Sequence, residues 1–391
     1  MTRQPPARPA SYDKMVALVL QGGGALGAYQ AGVYEALSAS EYLPDWIAGI
    51  SIGAINAAII AGNAPEQRVE RLRAFWSEVT TPALPAWPSM GLVGAAVAQA
   101  TAIMFGRSGF FTPRLPLELW FDRDATSFYD TGALRSTLER LVDFDRINSG
   151  EPRFSVGAVE IETGNFVYFD NARMKIAPEH VMASGAMPPS FPAIEIGGER
   201  FWDGGLVSNT PLRYVIESVP RRSRLVFQVD LFSAQGRAPE NLAEVAEREK
   251  DIRYSSRTRA VTDTIRREHD VRHNINELWE LLPLELRELP SAKWLYDFGC
   301  VTTMDIAHLI YRPGAPQGPA KDFDFSRQAM EARWRAGRAD AQATLAASPW
   351  LAPMDPAQGA RTFDVRRPAA KAERDSRTMW GGGLPAPIAR F

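Results

Sequence analysis

The sequence predicts an α/β protein, a mostly parallel sheet flanked by helices. Over residues 15–62, short apolar runs alternate with helix-like pieces. Further strand-like runs recur downstream, spaced by segments long enough to cross back over a sheet. Alternation of this kind places successive strands parallel, because each helical crossover returns the chain to the same end of the sheet. With 391 residues and 45% hydrophobic side chains, the chain can bury a large core as one domain with additions.

Residues 15–20 read as a strand, followed by a glycine turn and a helix over 25–38. A second strand over 46–50 leads into an alanine- and isoleucine-rich helix over 52–61, and 66–79 forms an amphipathic helix. Residues 130–141 carry Leu134, Leu138 and Leu141 on one helical face. The segments 154–160 and 165–170 flank Thr163-Gly164 as a hairpin that extends the sheet. A short helix over 178–184 enters Met187-Pro188-Pro189-Ser190-Phe191-Pro192, whose prolines enforce an extended loop. Later strands are expected at 200–202 and 225–232. From Pro239 long charged helices follow, over 241–259 and 260–281, then a strand over 304–311 and a helix over 325–345 with Ser326 as its N-cap. The tail after Pro353, with Gly381-Gly382-Gly383, is expected to be irregular.

A net charge of −2, with basic and acidic residues interspersed, excludes a general polyanion binder, so nucleic acid is not an expected partner. Cys300 is the single cysteine, so no intrachain disulfide can form and a reducing, cytoplasmic setting is expected. The first apolar run is too short for a secretion leader. From Val79 to Gly106 there is no charged residue, yet the stretch falls short of the roughly 20 mostly apolar residues of a membrane span. A buried helix or cap is the expectation, with a lid making peripheral membrane contact as the alternative. Between Arg253 and Arg272 six arginines accompany three acids, read as a solvated, salt-bridged face ahead of a stripe for anionic head groups.

Chemistry is concentrated in three places. Ile47-Ala48-Gly49-Ile50-Ser51-Ile52-Gly53-Ala54 sets a serine between Gly49 and Gly53 in G-x-S-x-G spacing, at the junction of a strand and a helix. That is a nucleophile elbow, in which strained backbone lifts the hydroxyl out at a helix N-terminus and only glycine fits beside it. Upstream, Gln21-Gly22-Gly23-Gly24-Ala25-Leu26-Gly27 can converge backbone N–H groups on an anionic oxygen. Taken alone, Gly22, Gly24 and Gly27 also fit the G-x-G-x-x-G of a dinucleotide site, with Glu41 and Asp45 as ribose ligands. Ser51 favours an oxyanion hole, since a dinucleotide site has no use for a strained serine. A serine also needs a base. The candidates are His180, His269, His273, His308 and several acids, among which Asp203 ends a short apolar run and precedes Gly204 and Gly205.

Together these motifs resemble the patatin-like phospholipases. The resemblance extends through Ala183-Ser184-Gly185-Ala186-Met187-Pro188 and Gly205-Leu206-Val207-Ser208-Asn209-Thr210-Pro211 and covers roughly residues 15–230. It implies a doubly wound α/β sheet and a serine lipid acyl hydrolase that cleaves carboxylic esters, with Ser51 as nucleophile and Asp203 as base. Gly22, Gly23 and Gly24 would form the oxyanion hole, and Gly27, Gly49, Gly53, Gly204 and Gly205 would be motif glycines. No cofactor or metal is implied, and the substrate would be a phospholipid or related acyl ester. Many members carry Arg or Lys where this chain has Leu26. The implied organisation is a polar segment over 1–14, an acyl hydrolase domain over 15–230, a mainly helical accessory region over 239–345 resembling that of some bacterial members, and an irregular tail over 353–391. The uncharged segment and Leu115, Leu117, Leu119, Trp120 and Phe121 are candidates to line an acyl channel. Two rival readings are a Ser-Asp-His triad using His269, His273 or His308, whose chain order fits, and a non-catalytic lipid-binding scaffold.

Overall fold

The computed structural model describes residues 14–80, 102–115, 126–255, 258–355 and 358–366. Nine strands form one sheet in the order β11 (Ala360–Phe363), β10 (Met304–Ile310), β9 (Arg224–Asp230), β1 (Met15–Leu20), β2 (Trp46–Gly49), β5 (Arg153–Glu160), β8 (Glu199–Asp203) and β7 (Ile194–Ile196), with β6 (Phe166–Asp170) also paired to β5. The first six of these run parallel. The short strands β3 (Thr112–Pro113) and β4 (Tyr129–Asp130) make a separate ribbon.

Strand β1 is buried on both faces, which explains its unbroken apolar run. Val16, Leu18 and Leu20 enter one core, and Ala17 and Val19 enter the other. The larger core lies under α1 (Ala28–Leu37), α2 (Ile52–Ala61) and α3 (Arg68–Val79). In α3 the residues Leu72, Phe75, Trp76 and Val79 are buried, the spacing of a single helical face. The smaller core lies under the helix Leu212–Glu217. Strands added after β1 extend the sheet one way through β2, and those from β9 onward extend it the other way. The carboxyl ends of β1 and β9 therefore border a topological switch point, where such sheets open a crevice.

One detail of pairing builds the site. Strand β2 pairs with residues 153–156 of β5, and β8 pairs with 158–160. Strand β6 pairs across 155–159, overlapping both stretches, so it must take the opposite edge. Strands β2 and β8 thus share an edge of β5 and approach from opposite directions. Gly49 stands opposite Val156, and Asp203 opposite Ala158. The chain ends that lead into Ser51 and out of Asp203 meet there.

The later part of the chain is built into the same body. Strands β10 and β11 continue the sheet, and the helix Arg327–Ala347 crosses α1. A Cβ on Gly32 would lie 1.9 Å from the Trp334 carbonyl oxygen, and one on Gly337 would lie 2.0 Å from that of Tyr29. Two glycines facing each other let the backbones touch. Ser326 caps this helix as expected, its hydroxyl accepting from the Ala329 N–H at 3.2 Å.

The structure corrects two expectations. The helix after the glycine loop begins only at Ala28, because Gly24–Gly27 forms a 3-10 turn first. The tail is irregular only in part, since 360–363 forms edge strand β11 against β10, where open backbone groups invite pairing. Residues 81–101 and 116–125, and with them most of the uncharged stretch and Leu117, Leu119, Trp120 and Phe121, lie outside the described residues, as do 1–13 and 367–391.

Candidate active site

Ser51 begins α2 with φ 56° and ψ −125°, a left-handed conformation rare for a residue with a side chain. Such backbone costs on the order of 1–3 kcal/mol and persists only where the surroundings enforce it. They do so by crowding. A Cβ on Gly49 would fall 2.2 Å from the Gly53 carbonyl oxygen, and one on Gly53 would fall 2.4 Å from that of Leu20. The Ser51 N–H donates to both the carbonyl oxygen and Oγ of Ser184, each at 3.1 Å. Ser184 Oγ is in turn fixed on the Gly157 carbonyl at 2.6 Å. The Ser51 hydroxyl makes no capping bond to α2, which leaves it to the cavity.

Asp203 is fully buried. Its Oδ1 accepts from the Gly205 N–H at 2.7 Å, and its own N–H donates to the Ala186 carbonyl at 3.0 Å. A Cβ on Gly204 would sit 2.6 Å from the Gly157 carbonyl oxygen, and one on Gly205 would sit 3.0 Å from Asp203 Oδ1, so the turn after the carboxylate needs its glycines. Among the described residues Asp203 Oδ2 has no hydrogen-bond partner. Burial raises the carboxyl pKa from 3.8 to about 7, partly offset by the Ser51 hydroxyl and by the Gly205 N–H. An alcohol and a carboxyl 152 positions apart in sequence are therefore neighbours in the fold.

The glycine loop lies beside them, and a Cβ on Gly22 would sit 3.1 Å from Ser51 Cβ. Of the three expected oxyanion donors, Gly22 is engaged: its N–H donates to the Asn209 carbonyl at 3.2 Å, and its own carbonyl accepts from Asn209 Nδ2 at 3.1 Å. The N–H groups of Gly23 and Gly24 have no acceptor among the described residues. Gly24 has φ 54°, and a Cβ there would lie 2.4 Å from the Asp322 carbonyl oxygen. Gly27 lets the 3-10 turn seat on α2, since a Cβ would come within 2.5 Å of Ile52. Leu26 is packed into the core.

A buried polar network that sequence reasoning missed holds this loop. Gln21 Oε1 accepts from the N–H groups of Leu231 and Phe232, at 2.6 and 3.0 Å. Its Nε2 donates to Thr210 Oγ1 and to the Tyr254 carbonyl, each at 3.1 Å. Gln30 Nε2 donates to the Gln21 carbonyl at 2.7 Å; Asn56 Nδ2 donates to the Gly27 carbonyl at 3.0 Å and to Gln30 Oε1 at 2.9 Å. Trp76 Nε1 completes the chain on Asn56 Oδ1 at 3.1 Å. An available signal was the density of amide side chains in segments otherwise apolar, since a buried amide must find partners.

Ser51, Asp203 and the glycine loop open on a cavity of about 200 Å³. Its apolar lining includes Ile52, Ile55, Leu134, Met182 and Met187, with an aromatic wall of Phe110, Phe111, Phe191 and Phe325 whose contacting ring centroids lie 5.3–6.3 Å apart. Lys250, Tyr254, Asp322 and Phe323 close the side nearest the glycine loop. None of the four histidines lines it. His180 packs edge-on against Phe169, His273 Nε2 meets the Thr302 carbonyl at 2.8 Å, His269 lies against Gly359, and His308 is on β10. Among the described residues no cluster of His, Cys, Asp or Glu could hold a metal ion.

The fold and these motifs define a member of a known hydrolase class. The family model described as patatin-like phospholipase matches residues 18–216, and a second, described as patatin phospholipase, matches 252–357. The chain belongs to the patatin-like phospholipase family. It is 23% identical over 217 residues to rat patatin-like phospholipase domain-containing protein 7, a match covering 54% of this chain and 14% of that protein. Among solved structures, VipD from Legionella pneumophila is similar over 84% of this chain and 66% of its own, with 13% identity and a TM-score of 0.34. Full-length ExoU in complex with SpcU, from the type III secretion system of Pseudomonas aeruginosa, is similar over 64% and 51%, with 18% identity and a TM-score of 0.25.

Proposed function

We propose that the protein is a serine lipid acyl hydrolase acting through a Ser51–Asp203 dyad. The observation that carries this reading is the fully buried carboxyl of Asp203 with the Ser51 hydroxyl beside it, in one apolar cavity. In the ionised enzyme Asp203 takes the proton from Ser51 as its oxygen attacks the ester carbonyl, and an acyl-enzyme forms as the alcohol leaves. Asp203 returns the proton to that alcohol, then takes one from water as the water oxygen attacks the acyl carbon, and passes it to Ser51 Oγ as the ester bond breaks, which releases the carboxylic acid and regenerates the hydroxyl. The N–H groups of Gly23 and Gly24 face the tetrahedral oxyanion, each such donor being worth about 2.7–4 kcal/mol in a dry site. A base poised near neutrality suits this work better than an ordinary carboxylate.

The substrate is a phospholipid or related acyl ester, its chain lying against the aromatic wall. Membrane contact involves the end of the uncharged segment, where Ile103, Met104 and Phe105 are exposed. No helix among the described residues is long and apolar enough to cross a membrane.

Fluorophosphonate labelling tests the reading. A single adduct on Ser51, with labelling and ester turnover both lost in a folded Ser51→Ala chain, is the expected result. Turnover that survives Ser51→Ala, or an adduct elsewhere, refutes the dyad. Liposome binding by a wild-type chain that turns over no ester of any chain length would make the protein a scaffold.

A further inference from the structure

The glycine loop is fastened at both of its ends, by different parts of the chain. At its start, Gly22 exchanges two hydrogen bonds with Asn209. At its far end the peptide between Ala25 and Leu26 is held on both sides. Its N–H donates to the Gly23 carbonyl at 3.1 Å, and its carbonyl accepts from Arg333 Nη1 at 3.2 Å. Gly23 and Gly24, whose N–H groups have no acceptor among the described residues, lie between the two fastenings.

Arg333 reaches this point from the helix Arg327–Ala347, and it is only 1% exposed. Its guanidinium gathers three carbonyls: Ala25 of the glycine loop, Asp324 at 2.8 Å and Lys321 at 2.9 Å. The last two bracket the turn Lys321–Phe323, whose Asp322 carbonyl rests against Gly24 and whose Phe323, with Phe325 beyond it, lines the cavity. The nearest carboxylate, Asp324 Oδ2, is 4.0 Å from Nη2. A buried cation with so loose a counter-ion is expensive to hold, so bonding it to backbone carbonyls is a commitment of structure to one geometry. A rigid, planar fork of donors suits three converging acceptors in a way that a single ammonium does not.

We propose that Arg333 is a positioning residue for the acyl transfer reaction: it turns the Ala25 carbonyl away from the cavity and so aims the Gly23 and Gly24 N–H groups at the oxyanion, while tying the cavity wall at 321–325 to the same point. The region after residue 239 is then a part of the catalytic apparatus. This rests on the reading of Ser51 and Asp203 given above. An aiming role acts on the transition state more than on the bound ester, so its loss falls on kcat.

The test uses the full chain, a soluble p-nitrophenyl ester and thermal melting. Arg333→Gln is expected to lower kcat about 100-fold, the scale of a misplacement of about 1 Å in an active site, with KM changed by less than about twofold. Arg333→Lys, which still reaches one carbonyl, should fall between it and wild type. The rise of rate with pH near 7 should keep its position in both, because Arg333 does not touch Asp203. Wild-type kcat in folded Arg333→Gln, or a loss confined to KM, overturns the proposal. If the Gln variant does not fold, the same kcat and KM split in Arg333→Lys decides; if neither folds, Arg333 serves stability alone and the proposal falls. Turnover that vanishes in Ser51→Ala but persists in Arg333→Gln removes only the role of Arg333, whereas turnover surviving Ser51→Ala removes the reading beneath it.

Discussion

Residues 18–216 and 252–357 meet at one cavity, and they contribute to it in unlike ways. The first region places its groups through backbone: a left-handed serine, glycines with no room for a Cβ, and two strands ending against each other on β5. The second places groups through side chains that reach back over about three hundred positions, as Arg333 does to Ala25 and Trp334 does to Glu35. Backbone constraints leave a mark on local sequence, because only certain residues tolerate them. Side-chain bridges leave almost none, because the partner lies far away in sequence and, as at Ala25, can be a carbonyl that any residue supplies.

The comparison can be broken most forcefully at the proposed base. Asp203→Asn should lower kcat by about 10²–10⁴-fold, the range for loss of general base catalysis, while the melting temperature holds or rises because a desolvated carboxyl has been removed. Steady-state kinetics beside a melting curve checks both, and a retained rate would move the base elsewhere. The pH dependence comes next. As the proposed base Asp203 acts in its ionised form, and its pKa is raised to about 7, so kcat/KM should fall about tenfold per pH unit below that point and level off above it.

The raised pKa of Asp203 also makes stability fall as pH rises. Burial raises the pKa, so the folded chain holds the Asp203 proton up to about pH 7, while an unfolded chain releases it in the ordinary carboxylate range. The stabilisation is fully present below that lower range and is lost as pH rises through about 7. Urea midpoints across pH 4–8 should show this loss in wild type and lack it in Asp203→Asn.

A smaller effect is expected where the two regions touch. Gly337→Ala should destabilise by about 1–3 kcal/mol, because its Cβ would meet the Tyr29 carbonyl at 2.0 Å and force the helices apart. Urea denaturation measures it, and a wild-type midpoint would show that the crossing is not tight. The mildest change, Phe325→Leu, trims the cavity wall where Phe325 meets Phe110 and Phe111. It should alter the ratio of kcat/KM values for long and short acyl esters by less than about tenfold, leaving kcat on a short ester unchanged.

The legible part of the molecule follows this division. Strand β1, strand β2, helix α2 and the β5–β6 hairpin lie where periodicity and turn residues set them. Asp203 stood out because a carboxylate after an apolar run and before two glycines is an unusual local pattern. Gln21, Gln30 and Asn56 did not, for each bonds to atoms made neighbours only by folding. Edge strand β11 hid inside a proline-rich tail because four residues carry too little pattern to compete with their surroundings. Gly22 illustrates the limit within a motif. Its place in the loop was plain, yet its N–H is taken by Asn209, a fact of packing between distant segments.

What the sequence settled by itself was the α/β plan, the elbow at Ser51 and the family to which the chain belongs. Those depend on short-range sterics, which act between neighbours along the chain and therefore select residue types. Only the tertiary structure decided that Asp203 lies against Ser51, that the glycine loop is fastened from both sides, and that the region after residue 239 walls the cavity. Each of these is a meeting of groups far apart in sequence, fixed by strand pairing and by the burial of polar groups that must find partners.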